Sequence, residues 1–172
     1  MSWPLILQSD SPTSTKKIAA KLSACCRSGD IILLVGDLGA GKTAFAQGFA
    51  AALGVEGPVT SPTFALVRQY DCGEASPIDL LIHADVYRTE TLHEVVDLAL
   101  SELVEERAVA LVEWGDMAAP VLGDDVLEVT LTQPNEDTSA ELRTIAINGR
   151  GTWIDRADDV QQALSESGAN QP

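Results

Sequence analysis

The feature that most constrains the fold of this chain is a glycine-rich segment between an apolar run and a helix-forming segment. Residues 31–35 read Ile-Ile-Leu-Leu-Val and residues 44–53 are rich in Ala and Phe. Between them lie Gly36, Asp37, Leu38, Gly39, Ala40, Gly41, Lys42 and Thr43. This segment satisfies the pattern G-x-x-x-x-G-K-[ST] in the strand, loop and helix setting of a phosphate-binding loop. A glycine-rich turn without a ligand is the alternative interpretation, and the flanking strand and helix disfavour it.

The residue types in this pattern have a direct chemical meaning. Glycine permits backbone conformations that are closed to other residues, so successive N–H groups can turn toward phosphate oxygens at the positive end of a helix. Lys42 is then placed to reach the β- and γ-phosphates of a nucleotide. The Thr43 hydroxyl is placed to bind the Mg²⁺ that bridges those phosphates.

Length and charge indicate a single domain that has no nucleic-acid surface of its own. At 172 residues the chain can bury a core, and we expect one domain over residues 1–164 and a mobile tail over residues 165–172. The net charge of −15 argues against a free-standing nucleic-acid binder, because neutralising phosphates needs clustered Lys and Arg. Any RNA contact should therefore come through a partner. No apolar run is as long as a membrane span and the N-terminus lacks signal-peptide features, so we expect a cytoplasmic protein.

The order of elements predicted from hydrophobic periodicity is that of an α/β protein. Strands are predicted at residues 5–7, 31–35, 64–70, 80–86 and 108–112, and helices at 14–27, 44–53 and 89–106, the last broken near 99–101. The apolar run at 108–112 is typical of a central parallel strand. Residues 126–132 and 142–147 alternate between apolar and polar side chains, which predicts an antiparallel hairpin closing one edge of the sheet.

Two predicted strands end in an acidic residue. A phosphate-binding loop needs such a residue at the end of a neighbouring strand. Mg²⁺ at such a loop is held by a carboxylate beside the loop hydroxyl, often through a water. Glu113 follows four apolar residues and is the better match to this role, and Asp85 ends the run at 80–84. Asp85 is a candidate for the metal shell or for positioning water, and the two assignments are compatible. A solvated strand end is the alternative for each, and it is stronger for Asp85.

A loop rich in proline and hydroxyl groups, residues 58–63, precedes the predicted strand at 64–70. It is either a solvated turn or a segment that contributes to the site. The chain contains no Asn-Lys-x-Asp, the element with which familiar GTPases read guanine. ATP is therefore the expected nucleotide.

Four sequence blocks, taken together, resemble the TsaE (YjeE) family. They are Gly-Asp-Leu-Gly-Ala-Gly-Lys-Thr at 36–43, Ser-Pro-Thr-Phe at 61–64, His-Ala-Asp-Val-Tyr-Arg at 83–88 and Val-Glu-Trp at 112–114. The resemblance covers the chain from about residue 5 to about residue 150. It implies a three-layer α/β P-loop NTPase sandwich with a mixed, largely parallel central sheet and an antiparallel C-terminal hairpin, in agreement with the element order.

The resemblance also implies a function and a set of partners. Members of that family are small ATPases that act with TsaB, TsaD and a threonylcarbamoyl-adenylate synthase. Together these proteins form threonylcarbamoyladenosine beside the anticodon of tRNAs that read ANN codons. The implied cofactors are ATP and Mg²⁺, and contact with tRNA is expected only through the complex.

The roles of individual residues carry over from the family's motifs. Those implied to surround the nucleotide are Thr15, Asp37, Leu38, Gly39, Ala40, Gly41, Lys42, Thr43, Thr63 and Trp114. Mg²⁺ is placed on Thr43 and Glu113, with Asp85 in a switch-II-like segment and Thr63 in a switch-I-like loop. Lys42, Asp85 and Glu113 are the implied catalytic residues. The chain departs from the family's pattern at Thr89, where Leu is usual, and at Gly115, where Pro is common.

Two other functions are compatible with the loop alone. A small-molecule kinase would need an acceptor pocket and basic lid residues, yet Arg68, Arg88 and Arg107 are scattered among acidic residues. A nucleotide-dependent switch or scaffold without appreciable turnover is the second, because no obvious arginine finger follows the loop. The expectation is a Mg²⁺-dependent ATPase that is slow alone and activated by its partners.

Overall fold

The computed structural model describes residues 3–62, 66–87, 92–105, 107–134 and 141–165. The strands are β1 (Leu5–Ser9), β2 (Ile31–Val35), β3 (Val67–Asp71), β4 (Leu80–Asp85), β5 (Ala108–Glu113), β6 (Leu127–Thr132) and β7 (Arg143–Gly149). The helices are α1 (Pro12–Ser23), α2 (Lys42–Ala52), α3 (Leu92–Asp97), α4 (Leu100–Leu103), α5 (Gly115–Leu122) and α6 (Ala157–Ser165), with a 3-10 helix at Gly151–Arg156.

Within the described residues, seven strands form one mixed sheet in the order β1-β7-β6-β2-β5-β4-β3. The four inner strands β6, β2, β5 and β4 run parallel to one another. The outer pairings, β6 with β7, β7 with β1 and β4 with β3, are antiparallel. The predicted sheet with a parallel centre and an antiparallel C-terminal hairpin is confirmed.

The prediction that this hairpin closes an edge of the sheet is wrong. β6 lies beside β2, and β1 adds outside β7, with Leu5 opposite Ile147 and Ser9 opposite Arg143. The edge is therefore formed by the N-terminal strand. The alternating pattern of β6 and β7 predicts that they pair, but it carries no information on which distant segment covers the outer side of β7.

Alternate residues of the central strands face two separate cores, one on each side of the sheet. Ile32 and Leu34 of β2 pack in a core with residues of α1, α2 and α6. Ile31 and Leu33 pack in a second core with residues of α3, α4 and α5. Because successive side chains of a strand point to opposite faces, a continuous apolar strand requires helices on both sides. The three-layer arrangement follows from that requirement.

Element ends are where sequence and structure differ most. The Ser11 side chain caps α1 by accepting from Ser14 N, and Pro12 occupies the first turn. The helix ends at Ser23 rather than at residue 27, because Cys25 N and Cys26 N donate to carbonyls three residues back and tighten the chain into turns.

The helix predicted at 89–106 is broken, as expected, by Ala99, whose φ is 50°. Residues 88–91 and 106, with Arg88 and Thr89, lie outside the described residues, as do 135–140 in the hairpin connection. β3 begins at Val67, and residues 63–65 lie outside the described part. α5 and α6 were not predicted. Pro120 inside α5 argues against a helix by local rules, and α6 includes Ser165, the first residue of the predicted tail.

Among the described residues, the helices are all too short or too polar to span a membrane.

Candidate nucleotide site at the carboxyl ends of β2, β4 and β5

The glycine-rich loop connects β2 to α2 and leaves the first turn of α2 without a side-chain cap. Gly39 and Gly41 have φ of 81° and 108°, in the left-handed region that favours glycine. Gly41 is the N-cap of α2, makes no side-chain cap hydrogen bond, and is followed by a first turn without acidic residues. The N–H groups at the start of an α-helix have no partners within the helix and carry its positive end. The loop therefore presents donors to an anion.

A backbone contact with β6 dictates the glycine at the start of this loop. A Cβ on Gly36 would lie 2.4 Å from Leu131 O and 3.0 Å from the Ala40 Cβ. Any larger residue would displace either the loop or β6. Gly36 therefore fixes how the loop leaves β2 and passes the end of the neighbouring strand.

Lys42 is only 5% exposed, although its side chain carries a charge. Its Nζ donates to Gly36 O and to Asp37 O, the latter at 2.9 Å, and lies 4.2 Å from the centroid of the Trp114 ring. Burial lowers the pKa of the Lys42 ammonium, and nearby carboxylates act against that change: those of Glu113, Asp85, Asp37 and Asp116. The ammonium is thus held in a desolvated position that faces acidic groups.

Glu113 ends β5, the strand directly beside β2. In the sheet register Glu113 lies opposite Leu34 of β2 and opposite Asp85 of β4. Its side chain is buried, and its Oε1 is 2.8 Å from Nε2 of His83. Because β4, β5 and β2 are parallel, their carboxyl ends meet at the same edge, where the loop begins.

Asp85 is buried at the end of β4, and both of its oxygens accept hydrogen bonds. Oδ2 accepts from the Ser61 hydroxyl and Oδ1 accepts from Tyr87 N, each at 2.9 Å. Asp85 therefore connects the loop at 58–62 to the segment that follows β4. The alternative of a solvated strand end is excluded for Asp85 and Glu113, since both are 3% exposed.

Trp114 has φ of 60° and ψ of 39°, an uncommon backbone conformation for a residue with a large side chain. This conformation turns the chain from β5 into α5 and places the indole over Lys42. The Tyr87 ring lies against the same indole, with the centroids 4.6 Å apart. Gly115 begins α5 against β2, where a Cβ would lie 2.4 Å from the Leu33 Cβ. The departure from proline at this position thus coincides with a close contact between α5 and the sheet.

Thr15 lies beside the loop, near the N-terminal strand and the start of β7. Its hydroxyl is 2.7 Å from that of Ser9, and with Gly41 and Arg143 it borders a cavity of about 80 Å³. Arg143, at the start of β7, donates from Nε to Ala40 O at 3.0 Å and from its terminal nitrogen to Gly39 O at 3.2 Å. The guanidinium thus fastens the loop from outside the β2–α2 unit.

Residues 9–143 match the sequence model of the family described as "Threonylcarbamoyl adenosine biosynthesis protein TsaE". The chain belongs to the TsaE family. A relative from Bacillus subtilis, named "tRNA threonylcarbamoyladenosine biosynthesis protein TsaE", is 38% identical over 139 residues, which are 81% of this chain and 84% of the relative. A Streptomyces coelicolor protein of the same name is 36% identical over 145 residues, 83% of this chain and 95% of that protein.

A crystal structure of Bacillus subtilis YdiB has the same fold. It superposes on this chain with a TM-score of 0.73 at 30% sequence identity, covering 96% of this chain and 97% of YdiB. The resemblance to the TsaE family and the predicted fold class are therefore confirmed. At a coarse level, the chain is a P-loop protein of the nucleotide-binding class.

In this TsaE family member, the predicted site residues fall into two groups around the loop. Lys42, Glu113, Asp85 and Trp114 lie together at the carboxyl ends of the parallel strands. Thr15 lies on the side of Gly41 and Arg143. Asp37, Leu38 and Gly39 form the exposed tip of the loop, whereas Ala40 is buried beneath it and Thr43 is half-buried in the first turn of α2. Thr63 lies outside the described residues.

Sequence reasoning missed three residues that contact this site. Tyr87 and His83 were part of a quoted motif and received no role, although His83 is the only polar residue in the run at 80–84 and could have been noticed for that reason. Arg143 was not considered, because 100 residues of chain separate it from Thr43. Local patterns contain no signal for such a contact.

Proposed function

We propose that this chain is the ATP-binding and ATP-hydrolysing component of the machinery that forms threonylcarbamoyladenosine in tRNA, acting with homologues of TsaB and TsaD. The names of its relatives and its family membership support the pathway. The observation that carries the catalytic part is the convergence of a buried ammonium and two buried carboxylates at an uncapped helix N-terminus. These are Lys42, Glu113 and Asp85.

The residues present fit a nucleoside triphosphate with Mg²⁺. The loop N–H groups and the Lys42 ammonium are donors and match phosphate oxygens, while the Thr43 hydroxyl and the Glu113 carboxylate are the hard oxygen ligands that Mg²⁺ prefers. Mg²⁺, when bound, would neutralise charge on the β- and γ-phosphates. Thr43 and Glu113 are the proposed ligands, and Asp85 is proposed to act in the metal shell or on the attacking water.

Lys42 would exchange neutral acceptors for charged ones when phosphates bind. It now donates to two loop carbonyls, and hydrogen bonds from an ammonium to a phosphate oxygen are about twice as strong as those to a neutral acceptor. Trp114 covers the ammonium and keeps water away from it. The loop at 58–62, which Ser61 ties to Asp85, is proposed to close toward the γ-phosphate together with Thr63.

A partner requirement is part of the proposal. Arg143 is the described arginine nearest the loop, and its guanidinium donates to loop carbonyls, which occupies it in support of the loop. Some P-loop ATPases and GTPases have no positively charged side chain, such as an arginine finger, against the transferred phosphate. These enzymes turn over slowly until a partner completes the site. The chain alone should therefore hydrolyse ATP slowly.

The test is ATP turnover by the purified chain with and without the TsaB and TsaD homologues and tRNA. We expect partners to increase turnover, and Lys42→Ala to lower the stimulated rate by about 100-fold, as removing one preorganised donor does elsewhere. Lys17→Ala, at an exposed position of α1, is the control and should behave as wild type. Cells depleted of the chain should lose threonylcarbamoyladenosine from tRNA.

Fast turnover by the isolated chain, together with unchanged threonylcarbamoyladenosine after depletion, would overturn this assignment. That outcome would favour the kinase alternative. Unchanged turnover in Lys42→Ala would overturn the role of the loop itself.

A further inference from the structure

His83 is a buried histidine whose hydrogen bond is directed at Glu113. It lies on β4 two residues before Asp85, so the side chains of both point to the same face of the sheet. The His83 side chain is 0% exposed and that of Glu113 is 4% exposed, and the two are joined at 2.8 Å from Nε2 to Oε1. No solvent competes for this contact.

The chemistry of the two groups sets the direction of the hydrogen bond. An ionised carboxylate only accepts hydrogen bonds, so with Glu113 ionised Nε2 carries the hydrogen and donates the hydrogen bond to Oε1. The other ring nitrogen, Nδ1, is buried and has no hydrogen-bond partner within the part of the chain that the structure describes. The contact with Glu113 is thus the polar interaction that the imidazole makes there.

The imidazole of His83 is not needed to fill this part of the core. The neighbours of His83 along β4, namely Leu81, Ile82 and Ala84, are buried and apolar. A leucine at position 83 would fill similar space without burying an unpaired nitrogen, but it would leave the buried Glu113 carboxylate without this donor. What the imidazole supplies and an apolar side chain cannot is a hydrogen bond to the buried Glu113 carboxylate.

We propose that His83 is a positioning residue that fixes the orientation of the Glu113 carboxylate. The inference rests on the proposed function, in which Glu113 binds Mg²⁺ beside Thr43. The terminal torsion of a glutamate is soft and has no sharp minima, so an unrestrained carboxylate must be ordered each time it binds a ligand. With Oε1 held by His83, Oε2 is the oxygen left for the metal or for its water.

A residue of this kind acts on metal affinity. Groups that hold a metal ligand in place typically change metal affinity by about 10-fold to 100-fold when they are removed. Binding of the nucleotide without metal depends on the loop and Lys42, and it should not depend on His83. The two affinities therefore separate a positioning role from a general loss of structure.

The experiment measures ADP binding by calorimetry across a series of free Mg²⁺ concentrations and in EDTA. In wild type we expect Mg²⁺ to increase the affinity for ADP. In His83→Leu the Mg²⁺ midpoint should rise about 10-fold while the affinity in EDTA stays the same. His83→Gln should restore the wild-type midpoint, because its amide nitrogen is as many bonds from Cα as the histidine Nε2 and can donate to Glu113.

His83→Asn provides a matched control that keeps an amide and shortens its reach. Its nitrogen corresponds to Nδ1, so we expect Asn to behave as Leu does. If His83→Leu fails to fold, as judged by its melting curve without nucleotide, the comparison of Gln with Asn carries the test. A wild-type Mg²⁺ midpoint in His83→Leu, or equal midpoints for Gln and Asn, would overturn the inference and leave the proposed function standing. A wild-type protein that binds ADP without any Mg²⁺ dependence would overturn both.

Discussion

Asp85 connects the loop at 58–62 to the segment that follows β4. Its position at the end of a strand does not by itself indicate this connection. One oxygen accepts from the Ser61 hydroxyl and the other from Tyr87 N. Neither contact belongs to a helix or to a strand ladder. Asp85 therefore ties the loop at 58–62 to the sheet edge where Glu113 and Lys42 lie, and it would transmit movement of that loop to the site.

We predict that Asp85→Asn and Ser61→Ala have non-additive effects on ATP hydrolysis. Asp85→Asn should lower kcat by about 10-fold to 100-fold with a smaller change in ATP affinity, since the carboxylate is proposed to act on metal or water in the transition state. Ser61→Ala should have a smaller effect, and the double variant should be no worse than Asp85→Asn, because an amide offers one acceptor oxygen to Ser61 and Tyr87 N and both changes therefore disturb the same contact. Kinetics of ATP hydrolysis by wild type, the two single variants and the double variant measure this coupling.

Thr60→Ala is the matched control, because Thr60 is an exposed residue of the same loop whose hydroxyl accepts from Arg68 and not from the Asp85 network. It should not couple to Asp85→Asn. Additive effects of Asp85→Asn and Ser61→Ala would show that the loop does not act through this carboxylate.

The crossing of α1 over α2 determines where the N-terminal end of α2 points. At the crossing, a Cβ on Gly48 would lie 2.3 Å from Lys16 O and 2.5 Å from Lys16 Cα. The backbones of the two helices are therefore nearly in contact. Since α2 carries Lys42 and Thr43 in its first turn, the close crossing sets the position of the site relative to α1 and Thr15.

We predict that Gly48→Ala destabilises the fold in spite of the higher helix propensity of alanine. The propensity gain is about 1 kcal/mol, whereas overpacking a tight contact costs about 1–3 kcal/mol and here the opposing atoms are backbone, which cannot rotate away. The net change should be a loss of about 1 kcal/mol or more in the free energy of unfolding, measured by denaturant titration. Ala51→Ser, at an exposed position of α2, should change it by less than about 0.5 kcal/mol. A stabilised Gly48→Ala protein would show that the helices can separate without cost.

The strongly acidic character of the whole chain limits how it can act on RNA. The net charge of −15 gives long-range repulsion from a tRNA phosphate backbone. If the chain takes part in tRNA modification, a basic surface must come from another protein. The net charge is therefore consistent with RNA contact through a partner.

We predict that the isolated chain binds tRNA weakly and with little salt dependence. A protein that makes many phosphate contacts loses affinity steeply with salt, because counterions are released on binding. Mobility shift of labelled tRNA at several salt concentrations measures this, with the TsaB and TsaD homologues alone as the control. Adding the chain to those partners should not add phosphate contacts of its own. Tight, steeply salt-dependent binding by the isolated chain would contradict a partner-supplied RNA surface.

Much of the arrangement of the candidate site could be predicted because its residues are local in sequence. The loop from Gly36 to Thr43 is a continuous stretch whose glycines, lysine and threonine act through their spacing along the backbone. Glu113 and Asp85 could be selected because an acid that ends an apolar strand is visible without knowledge of the partner strand. The contacts that cross the fold were not predicted: His83 with Glu113, Ser61 with Asp85, and Arg143 with Ala40 and Gly39.

The sequence alone therefore determined the strand, loop and helix unit with the P-loop pattern, the acidic strand ends and the family, since each depends on residues that are neighbours along the chain. Tertiary structure alone decided which strand forms the sheet edge and how β4 and β5 align to bring His83 beside Glu113. It also decided that an arginine of β7 fastens the loop. The physical reason is that strand register and helix crossing are set by packing between distant segments, such as the approach of Gly48 to Lys16, and no single segment encodes them.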